Sequence, residues 1–392
     1  MKTATKCVHW AGGDEDAYGA MAPPIYQTAT FRQPNAAEFG AYDYTRTANP
    51  TRTLLERQLA ALEEGTYAAA FASGMAATTA LVRLLDSGDE ILAGDDLYGG
   101  TVRLFERVLR RQGVAVRYVD ATDVTAVRAA MSARTRLLLV ETPSNPLLRI
   151  ADIAALAEVA HGAGAWLAVD NSMLSPCLQR PLRHGADVVI HSATKFLCGH
   201  SDVTAGALIT NDAELGERIA FQQNAEGAGL SPFESWLLLR GMKTLALRVE
   251  RQNASAERIA EYLARHKAVK QIFYPGLSTH PGREIHRRQA AGNGAVISFT
   301  TGDAELSRRV AEATQLFTIA VSFGSVTSSI SLPCCMSHAS VPERLRARLG
   351  PPADLVRVSV GIEDVDDLIA DLDQAFAVAA QATERRAVSI GT

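Results

Sequence analysis

Long apolar runs are missing from this chain of 392 residues. No stretch approaches the ~18 apolar residues that a membrane span needs. Blocks of one charge are missing too. The 39 Lys and Arg and the 43 Asp and Glu are interspersed and leave a net charge of −4. No basic face or acidic tail stands out, so no nucleic-acid partner and no membrane partner are expected. Cysteine is scarce. Cys7, Cys177, Cys198, Cys334 and Cys335 make an odd count without C-x-x-C spacing. That pattern is neither a disulfide framework nor a zinc site, and no metal is expected. The opening MKTATKCVHWAGGDEDAYGA has acidic residues and no apolar h-region, so no signal or transit peptide is read there. These absences leave a cytoplasmic protein acting on a small molecule as the expectation.

What is present is an alternation. Hydrophobic residues make up 47% and charged ones 21%, an ordinary globular balance. The length suggests two domains. Residues 1–50 carry few periodic apolar positions and read as an extended N-terminal arm. Residues 51–245 read as a larger domain and 246–392 as a smaller C-terminal α/β domain. Thr51 to Leu62 has helical spacing, with Leu54, Leu55, Leu59 and Leu62 on one side. Short apolar strands are predicted at Glu90–Ala93, Ala115–Val119, Arg136–Glu141, Trp166–Asp170, Asp187–His191 and Gly206–Thr210. Helical runs such as Thr101–Arg111 and Ile153–His161 lie between them. This rhythm predicts an α/β fold with a mainly parallel central sheet and helices on both faces. Residues 231–263 read as long helices interrupted near Gly241. Strands at Ala295–Thr300 and Leu355–Val360, a loop-rich 322–340 and a helix from Asp364 follow.

Sites in parallel sheets gather at the carboxyl ends of strands. Asp170 and Lys195 are placed there. Lys195 follows an apolar strand in 185-GADVVIHSATKFLCGHSD-202, among Ser192, Thr194 and Ser201. One reading is a surface lysine at a strand end. A second is the S-x-x-K of penicillin-recognising acyl enzymes, matched by 192–195. That family also needs S-D-N and K-T-G. Ser201-Asp202 is followed by Val203 and Lys243-Thr244 by Leu245, so both companions fail. A third reading is a Schiff-base lysine for pyridoxal phosphate.

The third reading makes further demands. The cofactor's ring nitrogen needs a carboxylate, and its phosphate needs donors. Asp170 ends the strand WLAVD, one strand–helix step before Lys195. As a bland alternative it is an N-cap or turn residue. Ser192 and Thr194 supply hydroxyls. Ser73-Gly74-Met75 opens a helical stretch, whose backbone N–H groups suit an anion, though an ordinary N-cap looks the same. Tyr98 in DDLYGG gives the ring a face. Arg357 in DLVRVSVG is either a salt-bridged strand residue or a bidentate partner for a carboxylate. Cys198, near Lys195, reads as a packed thiol rather than a nucleophile.

These motifs occur together and in order. From about Met21 to Phe376 the chain resembles the trans-sulfuration family of pyridoxal-phosphate enzymes. The resemblance rests on YDYTRTANPTR (42–52), FASGMAA (71–77), DDLYGG (95–100), ETPSNP (141–146), VDNS (169–172), HSATKFLCGHSDV (191–203) and VRVSVGIEDVDDLIADLD (356–373). SPFESWLLLRGMKTLALR (231–248) and AVSFGSV…LPCCMSHASVPE (320–343) are most similar to the plant-type β-lyases of that family. The resemblance implies a fold-type I pyridoxal-phosphate-dependent transferase fold, in which 51–245 binds the cofactor. It implies a carbon–sulfur lyase acting on an amino-acid thioether. A γ-acting sibling, a specialised cysteine-conjugate lyase and a non-catalytic cofactor-binding protein are the alternatives.

Residue by residue, the resemblance implies that Lys195 binds the cofactor and shuttles the proton. Asp170 pairs the ring nitrogen. Gly74, Met75, Ser192 and Thr194 hold the phosphate. Tyr44 and Arg46 reach the phosphate of a neighbouring subunit. Tyr98 stacks on the ring and assists proton transfer. Asn145, Ser322 and Arg357 surround the substrate's amino-acid end, and Arg103 meets its distal end. A homotetramer built from dimers that share active sites is implied. Some positions depart from the family. Thr47-Ala48 stand in place of Ser-Gly, and a positive φ there would strain Ala48. Thr327, Ser328, Ser329 and Ile330 replace a lysine followed by S-L-I. Val321 precedes Ser322, where γ-acting relatives commonly carry Glu.

Overall fold

A computed structural model of the chain describes residues 1–9, 18–339, 343, 345 and 349–390. Seven strands form the larger sheet: β1 (Tyr67–Phe71), β2 (Glu90–Gly94), β3 (Ala115–Val119), β4 (Thr135–Glu141), β5 (Trp166–Asp170), β6 (Val188–His191) and β7 (Gly206–Thr210). Their spatial order is β1-β7-β6-β5-β4-β2-β3. The run from β6 through β5, β4 and β2 to β3 is parallel. β7 is antiparallel to both of its neighbours. The predicted strands of this sheet appear within one residue of their expected ends.

Alternation explains why the central strands read as continuous apolar runs. In β5, Leu167 and Val169 pack into one core cluster and Ala168 into another. In β6, Val188 and Ile190 face one cluster and Val189 the other. Successive side chains point to opposite faces, and both faces are covered by helices.

A second sheet has five strands: β8 (Gln271–Phe273), β9 (Val296–Thr300), β10 (Thr318–Ile319), β11 (Ser329–Ser331) and β12 (Leu355–Ser359). Its order is β10-β11-β12-β9-β8. The helices Pro232–Met242 and Leu245–Arg265 lead into it, and the break falls beside Gly241 as expected. Gly241 has no room for a side chain, because a Cβ there would lie 2.5 Å from the Cys198 carbonyl oxygen. The loop-rich 322–340 holds one strand that the sequence does not announce. β11 is a short Ser-Ile-Ser segment, made a strand by pairing with β10 and β12.

The N-terminal segment differs from the expected extended arm in its first residues. Thr3–Val8 is helical, with Cys7 fully buried in the core cluster that also holds Leu55 and Leu59. Lys6 Nζ donates to the carbonyl of Ala61 at 3.1 Å. Residues 20–49 are extended and turn-rich, with an isolated bridge between Thr30 and Tyr44. Ala48 is not among the residues of positive φ, so the strain expected of a left-handed conformation does not arise there. Among the described residues no helix is long and apolar enough to cross a membrane.

Candidate active site

A cavity of about 490 Å³ opens at the carboxyl ends of β4, β5 and β6. Its floor follows from strand register. Glu141 ends β4 and Asp170 ends β5, and the two are direct Cα partners. Lys195 lies in the turn after β6, where its backbone N–H donates to the Ser192 carbonyl at 3.1 Å. Gly74, Met75, Tyr98, Arg103, Asn145, Asp170, Ser192, Thr194, Lys195, Ser322 and Arg357 all line this cavity. The helix Gly74–Val82 points its N-terminus at it, capped by the Ser73 hydroxyl, which accepts from Ala76 N.

Two glycines permit that approach. A Cβ on Gly74 would lie 2.9 Å from the Ser192 Cβ, and one on Gly206 would lie 2.2 Å from the Ser73 carbonyl oxygen. Helix start, lysine turn and β7 therefore meet at backbone distance.

Electrostatics on the floor are set by burial. The Glu141 carboxyl is held well above the usual range, first by burial and then by Asp170 beside it. Burial also raises Asp170, partly offset where its Oδ1 accepts from Ser172 N at 2.9 Å. Lys195 is lowered to about 8, first by burial and then by Arg357. Arg357, 2% exposed, is lowered to about 10 by burial.

Arg357 is a reach across the molecule from β12. Its Nη1 donates to Asn145 Oδ1 at 2.7 Å and its Nη2 to the Ser322 carbonyl at 3.0 Å. Lys195 Nζ donates to the Ser322 hydroxyl. Ser322 does both jobs in a left-handed conformation, φ 83°, which costs a non-glycine residue ~1–3 kcal/mol. The Phe323 ring lies 4.8 Å from Lys195 Nζ and 5.4 Å from Arg357 Cζ, a cation–π contact with each.

Tyr44 and Arg46 are not brought to this cavity. Both are exposed and line a separate cleft with Gln27, Arg52 and Gly229. Arg46 Nη1 donates to Asn224 at the carbonyl and at Oδ1, 2.8 and 2.9 Å. Thr194 lines the cavity, but its hydroxyl is engaged with the backbone of Ala205. Cys198 is buried outside the cavity and donates to Asp202, consistent with a packed thiol.

Sequence reasoning missed Glu141, Ser172 and Phe323. Glu141 Oε2 accepts from Tyr98 N at 3.0 Å, fixing the start of the helix Gly99–Arg107. Ser172 Oγ accepts from Ser192 N at 2.6 Å and joins the Asp170 loop to the lysine loop. Both sit inside motifs that were singled out, ETPSNP and VDNS. The missing signal was register, which made neighbours of them.

Residues 4–377 match the family model described as Cys/Met metabolism PLP-dependent enzyme. The chain is 54% identical over 361 residues to the chloroplastic cystathionine beta-lyase of Arabidopsis thaliana, covering 92% of this chain and 78% of that one. It is 47% identical to the cystathionine gamma-lyase of Bacillus subtilis, covering 96% and 99%. A crystal structure of cystathionine gamma-lyase from Lactobacillus plantarum, complexed with L-serine, superposes with a TM-score of 0.94 at 44% identity, over 97% and 100% of the two chains. The chain belongs to the family of pyridoxal-phosphate-dependent enzymes of cysteine and methionine metabolism.

Proposed function

We propose that this carbon–sulfur lyase is a cystathionine β-lyase, releasing homocysteine, pyruvate and ammonia. Pyridoxal phosphate fits the donor set in the cavity. A part-buried amine, a carboxylate beneath it and a helix N-terminus freed of side chain at Gly74 match its aldehyde, ring nitrogen and phosphate. In this reading Lys195 binds it and Asp170 holds the proton on the ring nitrogen. Gly74, Met75, Ser192 and Thr194 surround the phosphate, and Tyr98 covers the ring. When bound there, the cofactor supplies an electron sink for the carbon that loses its proton.

The chain's own groups do the rest. Arg357, aimed by Asn145 Oδ1 and the Ser322 carbonyl, takes the substrate's α-carboxylate. Lys195 Nζ takes the proton from Cα and returns one. Burial lowers it to about 8, which brings the amine closer to the neutral form that a general base requires. Phe323 excludes water beside that nitrogen. Arg103 at the cavity mouth takes the distal end of the thioether. Arg46 and Tyr44 complete the site of a neighbouring subunit in a homotetramer, and the cytoplasmic placement stays part of this reading.

Val321 carries the choice of β over γ. It is exposed at the cavity wall beside Ser322, where a second acid–base group would serve carbons beyond Cα. The carboxylates among the described lining residues are Glu141 and Asp170. Both are on the floor and engaged, with Tyr98 N and Ser172 N. Product analysis on cystathionine tests the reading. Homocysteine and pyruvate are expected. Cysteine and 2-oxobutyrate as main products would overturn it.

A further inference from the structure

We propose that Cys334 and Cys335 are an oxidative modification site: peroxide joins the two thiols in a reversible disulfide that reshapes one wall of the active-site cavity. The two Sγ atoms lie 3.4 Å apart. Cys335 is exposed and Cys334 half-buried, whereas Cys7 and Cys198 are buried. The next residues, Met336, Ser337 and Ala339, line the cavity.

The chemistry balances with peroxide as the named oxidant. The Cys335 thiolate attacks the O–O bond, takes one oxygen as sulfenic acid and releases hydroxide, which leaves as water once protonated. Cys334 then attacks the sulfenic sulfur. The S–S bond forms and a second water leaves. The thiol pair has lost two electrons and two protons, and the peroxide has been reduced to water. Cys335 is the residue oxidised first because it is the exposed one. The Cys334 thiol is pushed up to about 11, first by burial and then by Cys335 beside it, and it is the resolving group.

Adjacent Cα atoms stand ~3.8 Å apart, below the ~4.4–6.8 Å that disulfides usually span. Such a bond is strained and readily reduced, which suits a switch more than a staple. The Sγ atoms must also close from 3.4 Å to ~2.05 Å, so the shared peptide has to twist. A hydrogen-bonded turn transmits that twist. Met336 N donates to the carbonyls of Leu332 and Pro333 at 3.1 and 3.3 Å, and His338 N to Pro333 at 2.9 Å. Leu332 N also donates to Met336 Sδ at 3.4 Å. Nor can the turn yield toward Tyr98. A Cβ on Gly99 would lie 2.7 Å from the Ser337 carbonyl oxygen, so turn and helix start are in contact. The displacement therefore goes into the cavity wall.

The test treats reduced holoenzyme with hydrogen peroxide, alkylates the remaining thiols after denaturation, and maps the peptides. The expected peptide carries both cysteines, has lost about two mass units and takes up no alkyl group, in keeping with the oxidation above. Activity on cystathionine is expected to fall about 10-fold, mainly through KM, as an ångström-scale shift of a site wall does. Dithiothreitol should restore it. Cys335→Ser is expected to keep the starting activity and to lose the peroxide response. Alkylation of both thiols in treated wild-type protein would overturn the proposal. So would an unchanged peroxide response in Cys335→Ser. The mapping needs no substrate, so its outcome is separate from the fate of the β-lyase reading.

Discussion

Arg357 donates from Nη1 to Asn145 Oδ1 at 2.7 Å across 212 residues of sequence, and this bond fixes the guanidinium without an ion pair to a carboxylate among the described residues. The arginine's other donor goes to the Ser322 carbonyl. Two neutral acceptors thus aim the cation, while Glu141 acts on it through its charge alone, and in the proposed reading the fork faces the substrate's carboxylate. Arg357→Lys should lower kcat/KM for cystathionine about 10- to 100-fold, equivalent to a charged hydrogen bond of ~1.5–3 kcal/mol, with most of the effect in KM. A lysine cannot reproduce the planar fork, so it should fare little better than alanine. Steady-state kinetics on the two variants decide this, and a fully active lysine variant would refute it.

Lys195→Ala should lower turnover by at least about 10²–10⁴-fold, the usual worth of a positioned base. The binding role has its own readout. Borohydride should fix pyridoxal phosphate on the peptide that contains residue 195 in wild-type protein and leave the variant unlabelled. Labelling at another lysine would overturn the assignment.

Completion between subunits can be read by mixing. Arg46 lies outside the cavity formed by its own chain and hydrogen-bonds Asn224 instead. Lys195→Ala damages the site of its own chain, whereas Arg46→Ala should damage the site of its neighbour. A mixed dimer then puts both lesions into one site and neither into the other. Random pairing of the two variants in closed dimers should restore about a quarter of wild-type activity per site. No recovery, with mixed dimers shown to form, would mean that each chain completes its own site.

A remote ion pair should set the acid limit of the fold. Glu90, 2% exposed, receives Nε and Nη2 of Arg117 at 2.7 Å each, and hydroxyls from Thr135 and Ser132 at 2.7 and 2.9 Å. Arg117 beside it holds its carboxyl down to about 2, against burial. The folded value lies below the unfolded one, so the unfolded chain binds more protons between them. The stabilisation is present above about pH 4.5 and is lost as pH falls through about 2. Glu90→Gln should cost about 2 kcal/mol near neutral pH, discounted for the half-exposed arginine. In urea unfolding the gap to wild type should narrow between those two pH values. A gap independent of pH would argue against the pair.

Much of this was legible in the sequence because the central strands are buried on both sides and separated by helical spacing. Ala115–Val119, Trp166–Asp170 and Gly206–Thr210 come out residue for residue. β1 was not legible. Tyr-Ala-Ala-Ala-Phe has little strand character of its own, and pairing along its whole length with β7 makes it one. The Thr3–Val8 helix was missed for a similar reason, since its apolar anchor is the single Cys7. In the site, the motifs carried Lys195, Asp170 and Arg357. Glu141 escaped, because a carboxylate at a strand end reads as a solvent cap until Asp170 is found beside it. The conformation of Ser322 has no local signature either, being imposed by partners on two distant segments.

The wide spacing of the cavity's residues also sets an order of birth. β1 to β7, with the Lys195 turn, are complete by Thr210, while Ser322 and Arg357 lie far behind them on the chain. Domains fold largely as they leave the ribosome, N-terminal part first. A chain halted between those points therefore owns Gly74, Asp170 and Lys195 before it owns Arg357. In the proposed reading, the means to bind the cofactor then precede the means to bind the substrate during synthesis.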